Sequence, residues 1–271
     1  MVLSRRARIL LRLFVILGLA VIYIPLLVVL VNSVNPSRTF GWPPSGVTFD
    51  WWRKALESQG MVSALWTSVK AGLGATAIAL VLGSMAAFAV ARYRFFGREA
   101  ISFLVILPIA LPGVITGIAL NNAFLAILGP IGGHLGLATV IVGHATFCIV
   151  VVYNNVLARL RRTGGSLEEA SADLGARPAQ TFRLITLPAV RSALFAGGLL
   201  AFALSFDEII VTTFTAGPGV QTLPVWIFGN LFRPNQAPVV NVVAAALVVL
   251  SFVPVWLAQR VGGGESAGGR L

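Results

Sequence analysis

The sequence predicts an all-helical integral membrane protein that crosses the bilayer six times. Three observations carry this prediction: the composition, six long apolar stretches, and the placement of arginine between them. Of the 271 residues, 57% are apolar and 11% are charged, against roughly 45–50% and 25% in soluble domains. Lipid must therefore surround much of this chain.

The apolar stretches set the domain organisation. A helix needs roughly 20 apolar residues to cross a hydrocarbon core of about 30 Å. Six stretches are long enough, at 9–31, 61–91, 100–128, 135–158, 191–214 and 239–259. They predict a transmembrane domain over 9–260, between a short N-terminal segment, 1–8, and a glycine-rich tail, 261–271, that we expect to be disordered.

The arginines predict which way the chain is oriented. They cluster before the first stretch and in the second and fourth connections, at Arg5, Arg6, Arg8, Arg12, Arg92, Arg94, Arg98, Arg159, Arg161, Arg162, Arg177, Arg183 and Arg191. Cytoplasmic segments of membrane proteins carry this excess, so both termini are predicted to be cytoplasmic. The net charge of +11 then reflects membrane topology and not a basic face for nucleic acid.

Prolines and tryptophans mark irregular places within this plan. Pro108, Pro112 and Gly113 predict a kink in the third span, because proline removes a backbone donor and displaces the preceding turn. In the first outer loop, Trp51 and Trp52 predict a short helix at the membrane interface.

The fourth connection, 159–190, is the most informative segment. It contains EEASADLGARPAQTFRLITLP over 168–188. Ser166 is expected to cap a helix whose first turn holds two glutamates, which suit the positive end of the helix dipole. Gly175 and Pro178 are expected to end it, and a second short helix over 179–185 to end at Leu187 and Pro188.

This segment resembles the EAA loop of permease subunits in binding-protein-dependent ABC importers. Glu169, Ala170 and Gly175 fall on its most characteristic positions, Ser171 replaces the usual second alanine, and Ile185-x-Leu187-Pro188 follows Gly175 after nine intervening residues. The resemblance implies the fold of type I importer permeases. It also implies that the loop is a coupling helix seated in the ATP-binding subunit, with the contact residues Glu168, Glu169, Ala170, Ser171, Gly175, Ile185, Leu187 and Pro188.

Segments 107–113, 143–147 and 205–218 extend the likeness to the spermidine/putrescine branch of these importers. That branch implies import of a polyamine across the bacterial inner membrane. The partners it implies are a dimer of ATP-binding subunits, a second and different permease, and an extracytoplasmic substrate-binding protein. ATP and Mg²⁺ would be bound by the ATP-binding subunits, and this chain would hold no cofactor.

The residues argue against catalysis by this chain. Neither lysine, Lys54 or Lys70, lies in a G-x-x-x-x-G-K-[ST] phosphate-binding loop. His134 and His144 are the only histidines, and neither stands at a telling distance from a serine or cysteine nucleophile. The single cysteine, Cys148, supports neither a disulfide framework nor a metal motif. We therefore expect a transport protein with no catalytic or metal site.

Asp207 and Glu208 are the only acidic residues inside a predicted span. A carboxylate at mid-membrane costs about 2.5–3.5 kcal/mol on translocon scales, so it normally faces a cavity or a partner. We expect both carboxylates, with Ser205 and His144, to line a pathway for a cation. The alternatives are a packing role through pairing with Lys70 or with the partner permease and, for His144, a hydrogen bond between helices.

Three other functions remain open at this point. One is an importer of another substrate, such as an iron complex or an oxyanion, although the two carboxylates argue against an anion. A secondary transporter or channel would show inverted repeats and broken helices near the midplane, and neither is evident in the sequence. A membrane scaffold would need no charged pair in the fifth span.

Overall fold

The computed structural model describes residues 4–38, 43–233 and 235–262, of which 251–262 are described as backbone only. Every regular element in these residues is helical. The helices are α1 Arg5–Asn32, α2 Asp50–Glu57, α3 Gln59–Arg92, α4 Arg98–Ala110, α5 Gly113–Leu128, α6 Leu137–Thr163, α7 Ser166–Asp173, α8 Pro178–Thr181, α9 Leu187–Phe206, α10 Ile210–Thr215, α11 Leu223–Asn230 and α12 Ala237–Gly262. A 3₁₀ turn, Gly129–Ile131, extends α5, and a π-helical turn, Phe182–Thr186, joins α8 to α9.

Five segments of the described residues are long and apolar enough to cross a membrane: Arg5–Asn32, Gln59–Arg92, Gly113–Ile131, Leu137–Thr163 and Pro178–Phe206. The sixth, α12, occupies the position of the last predicted span and is apolar over Ala237–Leu250. The prediction of an all-helical, multi-pass membrane protein is confirmed. The tail from residue 263 onward lies outside the described residues.

The third predicted span is not one kinked helix but two helices. Helix α4 ends at Ala110, Leu111 is extended with ψ 144°, and α5 begins at Gly113. Pro112 has no N–H to continue the ladder of α4, and its fixed φ suits the residue before a new helix. The prolines therefore interrupt the helix where the sequence predicted only a bend.

The fifth span differs from the prediction at both ends. It begins earlier, because Leu187 and Pro188 do not break the chain: Pro188 lies in the first turn of α9, and the Leu187 N–H donates to the Phe182 carbonyl in the π turn. This hydrogen bond spans five residues instead of four, as in a π-helix, and it lets the helix continue although Pro188 has no N–H to donate. The span ends at Phe206 and not near residue 214, since residues 207–209 leave the helix before α10 begins.

The described chain divides into two compact units, one of residues up to 62 with 227–256, the other of residues 63–226 with 257–262. In the first unit, α1 buries none of its side chains. Helix α2 forms as predicted for the outer loop, and Trp51 is buried there with its Nε1–H donating to the Asn35 carbonyl at 3.1 Å.

In the second unit, α6 is the central helix. Among the described residues it carries more buried apolar side chains than any other helix of this unit, and small residues let its neighbours approach closely. A Cβ at Gly83 of α3 would lie 2.9 Å from the Ile149 carbonyl oxygen of α6, and one at Gly197 of α9 would lie 3.3 Å from the Cα of Val152. Close approach through small residues is the usual basis of helix packing in membranes.

Candidate functional site

Helix α7 lies in the predicted EAA segment, and backbone geometry defines both its ends. Its N-cap is Gly165 and not Ser166, which is the first helical residue and makes no side-chain cap. The predicted cap is thus displaced by one residue. Gly165 still accepts the first helical hydrogen bond, from the Glu169 N–H at 3.0 Å.

The structure confirms the prediction that Gly175 ends α7. The φ of Gly175 is +82°, a left-handed conformation that disfavours residues with a Cβ. The Ala176 N–H donates to the Ser171 carbonyl at 3.1 Å and the Gly175 N–H to the Ala172 carbonyl at 2.9 Å. These two bonds form a Schellman cap. Pro178 does not end α7 but begins α8.

Glu168 points inward and anchors α7. One carboxylate oxygen, Oε2, accepts from Arg92 Nε at 2.8 Å, and the other, Oε1, accepts from Arg92 Nη2 at 3.1 Å and from the Thr186 hydroxyl at 3.0 Å. Arg92 also donates to the Gly164 carbonyl at 2.6 Å. The two charged side chains are only 21% and 23% exposed. This fork-to-fork pair joins α7 to the end of α3 and to the turn before α9.

The rest of the predicted contact set divides into exposed and buried residues. Glu169 and Ala170 are solvent-exposed. Leu167, Asp173 and Leu174, which were not in the predicted set, are exposed as well, and these five residues form what we call the exposed face of α7. Leu174 is 89% exposed although it is apolar. Ser171 is buried, and its hydroxyl lies 2.9 Å from that of Thr181 in α8. Ile185 is half-buried, whereas Gly175, Leu187 and Pro188 are exposed.

The predicted pathway residues lie where α9 ends and α10 begins, with His144 of α6 packed against both helices. His144 of α6 is fully buried, with Nδ1 2.8 Å from the Ser205 hydroxyl oxygen and Nε2 2.8 Å from that of Thr212. The Thr212 hydroxyl donates to the Glu208 carbonyl at 2.9 Å, so it accepts from the imidazole. His144 thus joins three helices by hydrogen bonds, as the alternative interpretation of this residue expected.

Asp207 and Glu208 do not follow each other on a helix, because α9 has ended. Asp207 is exposed at its C-cap. Glu208 is half-buried, and its Oε1 accepts from the Val211 N–H at 2.9 Å, which caps the start of α10. Among the described residues, no basic side chain lies within ion-pair distance of either carboxylate. Lys70 is exposed on α3 and is not their partner.

Helix α10 is held firmly after this interruption. The Asn121 amide of α5 donates to the Phe214 carbonyl at 2.6 Å, and the Thr139 hydroxyl of α6 donates to the Thr215 carbonyl at 2.7 Å. Gly117 permits the approach, since a Cβ there would lie 2.6 Å from the Phe214 ring. The interruption between α9 and α10 is therefore stabilised by contacts of α10 with α5 and α6.

The sequence did not predict several side chains that bond to the residues of α7 and to His144. Arg92 was visible only as one of the arginines that end a span, and Thr186 and Thr212 carried no signal of their own. Among the described residues, no group of three or more histidine, cysteine, aspartate or glutamate side chains is placed to hold a metal ion.

Comparison with known proteins agrees with this arrangement. Residues 79–263 match the family described as "Binding-protein-dependent transport system inner membrane component". The chain is 34% identical to the putrescine transport system permease protein PotI of Escherichia coli strain K12, over 90% of this chain and 89% of that protein. It is 31% identical to the spermidine/putrescine transport system permease protein PotC of Haemophilus influenzae, over 92% and 94%.

The fold is also that of a solved transporter. A chain in the crystal structure of a bacterial ABC transporter involved in the import of the acidic polysaccharide alginate superposes with a TM-score of 0.68, over 97% of this chain and 99% of that one, at 18% identity. The confirmed architecture is therefore that of type I importer permeases. The chain belongs to the family of inner-membrane permease components of binding-protein-dependent transport systems.

Proposed function

We propose that this chain is the permease subunit of an ATP-driven importer that carries a polyamine such as putrescine or spermidine across the bacterial inner membrane into the cytoplasm. The observation that carries the proposal is the similarity to the two polyamine permeases over about nine-tenths of the chain. The carboxylates Asp207 and Glu208, which have no cationic partner among the described residues, support a cationic substrate.

The proposed topology places both termini and α7 on the cytoplasmic side. It is supported by the arginines that cluster at the N-terminus and in the second and fourth connections. The transmembrane domain then extends over 9–260, with the segment 159–190 as the coupling loop and 261–271 as a cytoplasmic tail.

The proposed partners are a dimer of ATP-binding subunits, which binds ATP and Mg²⁺, a second and different permease, and an extracytoplasmic binding protein. The exposed face of α7 is the contact for the ATP-binding subunit, since the apolar side chains of Leu167 and Leu174 are exposed there together with the acidic Glu169. An exposed apolar patch with a charged rim is typical of a protein interface.

The hydrogen bonds of Glu168 to Arg92 and Thr186, which we call the Glu168 anchor, explain how a movement of α7 is transmitted to the membrane helices. Glu168 connects α7 to Arg92 at the end of α3 and to Thr186 directly before α9. When the ATP-binding dimer closes and displaces α7, these bonds pull the ends of two membrane helices with it. Helix α9 leads to the break that holds Asp207 and Glu208, so the force reaches the proposed pathway.

An ion-coupled transporter is the second candidate function. Broken helices are expected of that class, and the described residues contain two interruptions: one between α4 and α5, where the sequence predicted only a kink, and one between α9 and α10, which it did not predict. The two candidates differ in their energy source. An ion-coupled transporter takes up substrate without an ATPase partner.

Purification through an affinity tag on this chain from its native membrane tests the proposal. We expect a P-loop ATPase to co-purify, and the reconstituted complex to accumulate radiolabelled putrescine only with ATP and loaded binding protein. Glu169→Ala should reduce recovery of the ATPase without changing recovery of this chain. Accumulation driven by an ion gradient without ATP would instead support the second candidate.

A further inference from the structure

The two helix interruptions lie side by side. Helix α4 ends at Ala110 and α5 begins at Gly113, while α9 ends at Phe206 and α10 begins at Ile210. A Cβ added to Gly113 would lie 3.5 Å from the Ile210 side chain, so the second half of each broken helix starts at the same level. A recess of about 150 Å³ opens between the two interruptions.

Among the described residues, Glu208 is the one charged side chain that lines this recess. Its hydrogen bond to the Val211 N–H fixes the carboxylate but uses only part of its capacity, because an ionised carboxylate can accept about four hydrogen bonds. Asp207 is exposed and does not line the recess.

The backbone around the recess supplies hydrogen-bond acceptors. The last four carbonyls of an α-helix have no partner within the helix, while the partial negative charge of two helix ends is offset by the partial positive charge where α5 and α10 begin. Both α4 and α9 end here. Pro112 adds to this at α4, since it has no N–H to offer to the Pro108 carbonyl four residues earlier.

The lining of the recess combines one carboxylate with apolar walls. Pro108, Phe147 and Leu204 provide apolar walls next to the carboxylate. An ammonium group with its first methylenes fits this combination of one carboxylate and apolar walls.

We propose that this recess is a subsite for one primary ammonium terminus of the transported molecule, with Glu208 as its ion-pair partner and helix-end carbonyls as its remaining acceptors. The ammonium group has three donors, which match one carboxylate and two carbonyls. The methylene chain lies against the apolar walls. This subsite deepens the proposed polyamine function and depends on it for the identity of the substrate.

The test measures the charge preference of the recess independently of transport. In the intact complex, Cys148 of this chain is replaced by alanine, and Thr116, which lines the recess, is replaced by cysteine. The rate at which this chain is modified is measured by mass spectrometry with two thiol reagents, the cationic aminoethyl and the anionic sulfonatoethyl methanethiosulfonate. Each rate is divided by the reagent's rate with a free thiol.

We expect the cationic reagent to react about tenfold faster, the lower end of the effect of a focused charge on local ion concentration. Glu208→Gln should remove this preference while its amide oxygen still accepts from the Val211 N–H. Putrescine should protect the cysteine only when Glu208 is present. The matched control is Glu99→Gln, which removes an equal charge from the exposed first turn of α4, and it should leave the preference unchanged.

Three results would overturn the subsite: a preference that survives Glu208→Gln, a preference that Glu99→Gln removes equally, or a cysteine that neither reagent reaches in resting or ATP-bound complex. Uptake separates this failure from that of the proposed function. Putrescine uptake that is normal in Glu208→Gln rejects the subsite and keeps the importer. A cation preference in a complex that takes up no polyamine keeps the subsite and rejects the substrate.

Discussion

Neutralising Glu168 should loosen α7 from the membrane helices, whereas neutralising its neighbour Glu169 should not. Glu168 accepts two charge-assisted hydrogen bonds from Arg92, at 2.8 and 3.1 Å, and one from Thr186 at 3.0 Å. Glu169 is exposed and bonds to neither Arg92 nor Thr186, whose contacts are with Glu168. Sequence similarity treats both glutamates as coupling residues, and the structure gives them different contacts.

The magnitude follows from the geometry. Hydrogen bonds to a charged group contribute about 1.5–3 kcal/mol. We take the lower part of this range, about 1.5–2 kcal/mol, because partial exposure weakens ion pairs and these side chains are 21% and 23% exposed. Each 1.4 kcal/mol is a tenfold change in an equilibrium constant. Glu168→Gln should therefore raise the open population of α7 about ten- to thirtyfold.

Amide hydrogen exchange reports this opening directly, since local unfolding controls the exchange of protected amides. In purified complex, peptides covering 164–177 should exchange ten- to thirtyfold faster in Glu168→Gln, and at the wild-type rate in Glu169→Gln. Peptides from α6 should not change in either variant. Arg92→Met should mimic Glu168→Gln, and the double variant should add little. Equal exchange rates of these peptides in Glu168→Gln and Glu169→Gln would refute the inference that Glu168 holds α7 to the membrane helices.

Three further outcomes are expected. Gly175→Ala should destabilise the end of α7 by about 1–2 kcal/mol, the cost of a left-handed residue with a Cβ; since that Cβ meets no atom within 4 Å, Gly175→Asn should cost less, and equal exchange rates in the two variants would contradict the reasoning. His144→Leu should lower the free energy of unfolding of the solubilised chain by about 1–3 kcal/mol, because two buried hydroxyls lose their hydrogen-bond partner. Adding Ser205→Ala and Thr212→Val should recover most of this loss. No recovery would argue that His144 has a role beyond packing. Asp207→Asn should lower putrescine uptake less than Glu208→Gln does, because Asp207 is exposed outside the recess, and the reverse order would place the pathway on the other side of the break.

The sequence predicted those parts of the structure that depend on local chemistry. Apolar length predicted the membrane helices, and Gly175 predicted the end of α7 because a left-handed turn favours glycine. Prolines predicted irregularity near residues 108–113 but not its extent, since a proline can either bend a helix or end it. The outcome depends on what packs against it, here helix α10.

Contacts between distant parts of the chain could not be predicted from one sequence. Arg92 and Glu168 are 76 residues apart, and His144 and Thr212 are 68 apart. Each pair exists because two helices lie next to each other, which no local pattern encodes. The end of α9 at Phe206 was missed for a related reason: residues 207–209 read as part of an apolar span, and the interruption is stabilised by the Glu208 cap and by hydrogen bonds to α5 and α6.

The most direct test of the proposed polyamine import is uptake of radiolabelled putrescine by the native complex in proteoliposomes, with ATP inside and loaded binding protein outside. We expect ATP-dependent accumulation that unlabelled spermidine competes with, and that falls together with ATP hydrolysis in Glu169→Ala. An assembled complex that hydrolyses ATP in response to its binding protein but accumulates neither polyamine would contradict it.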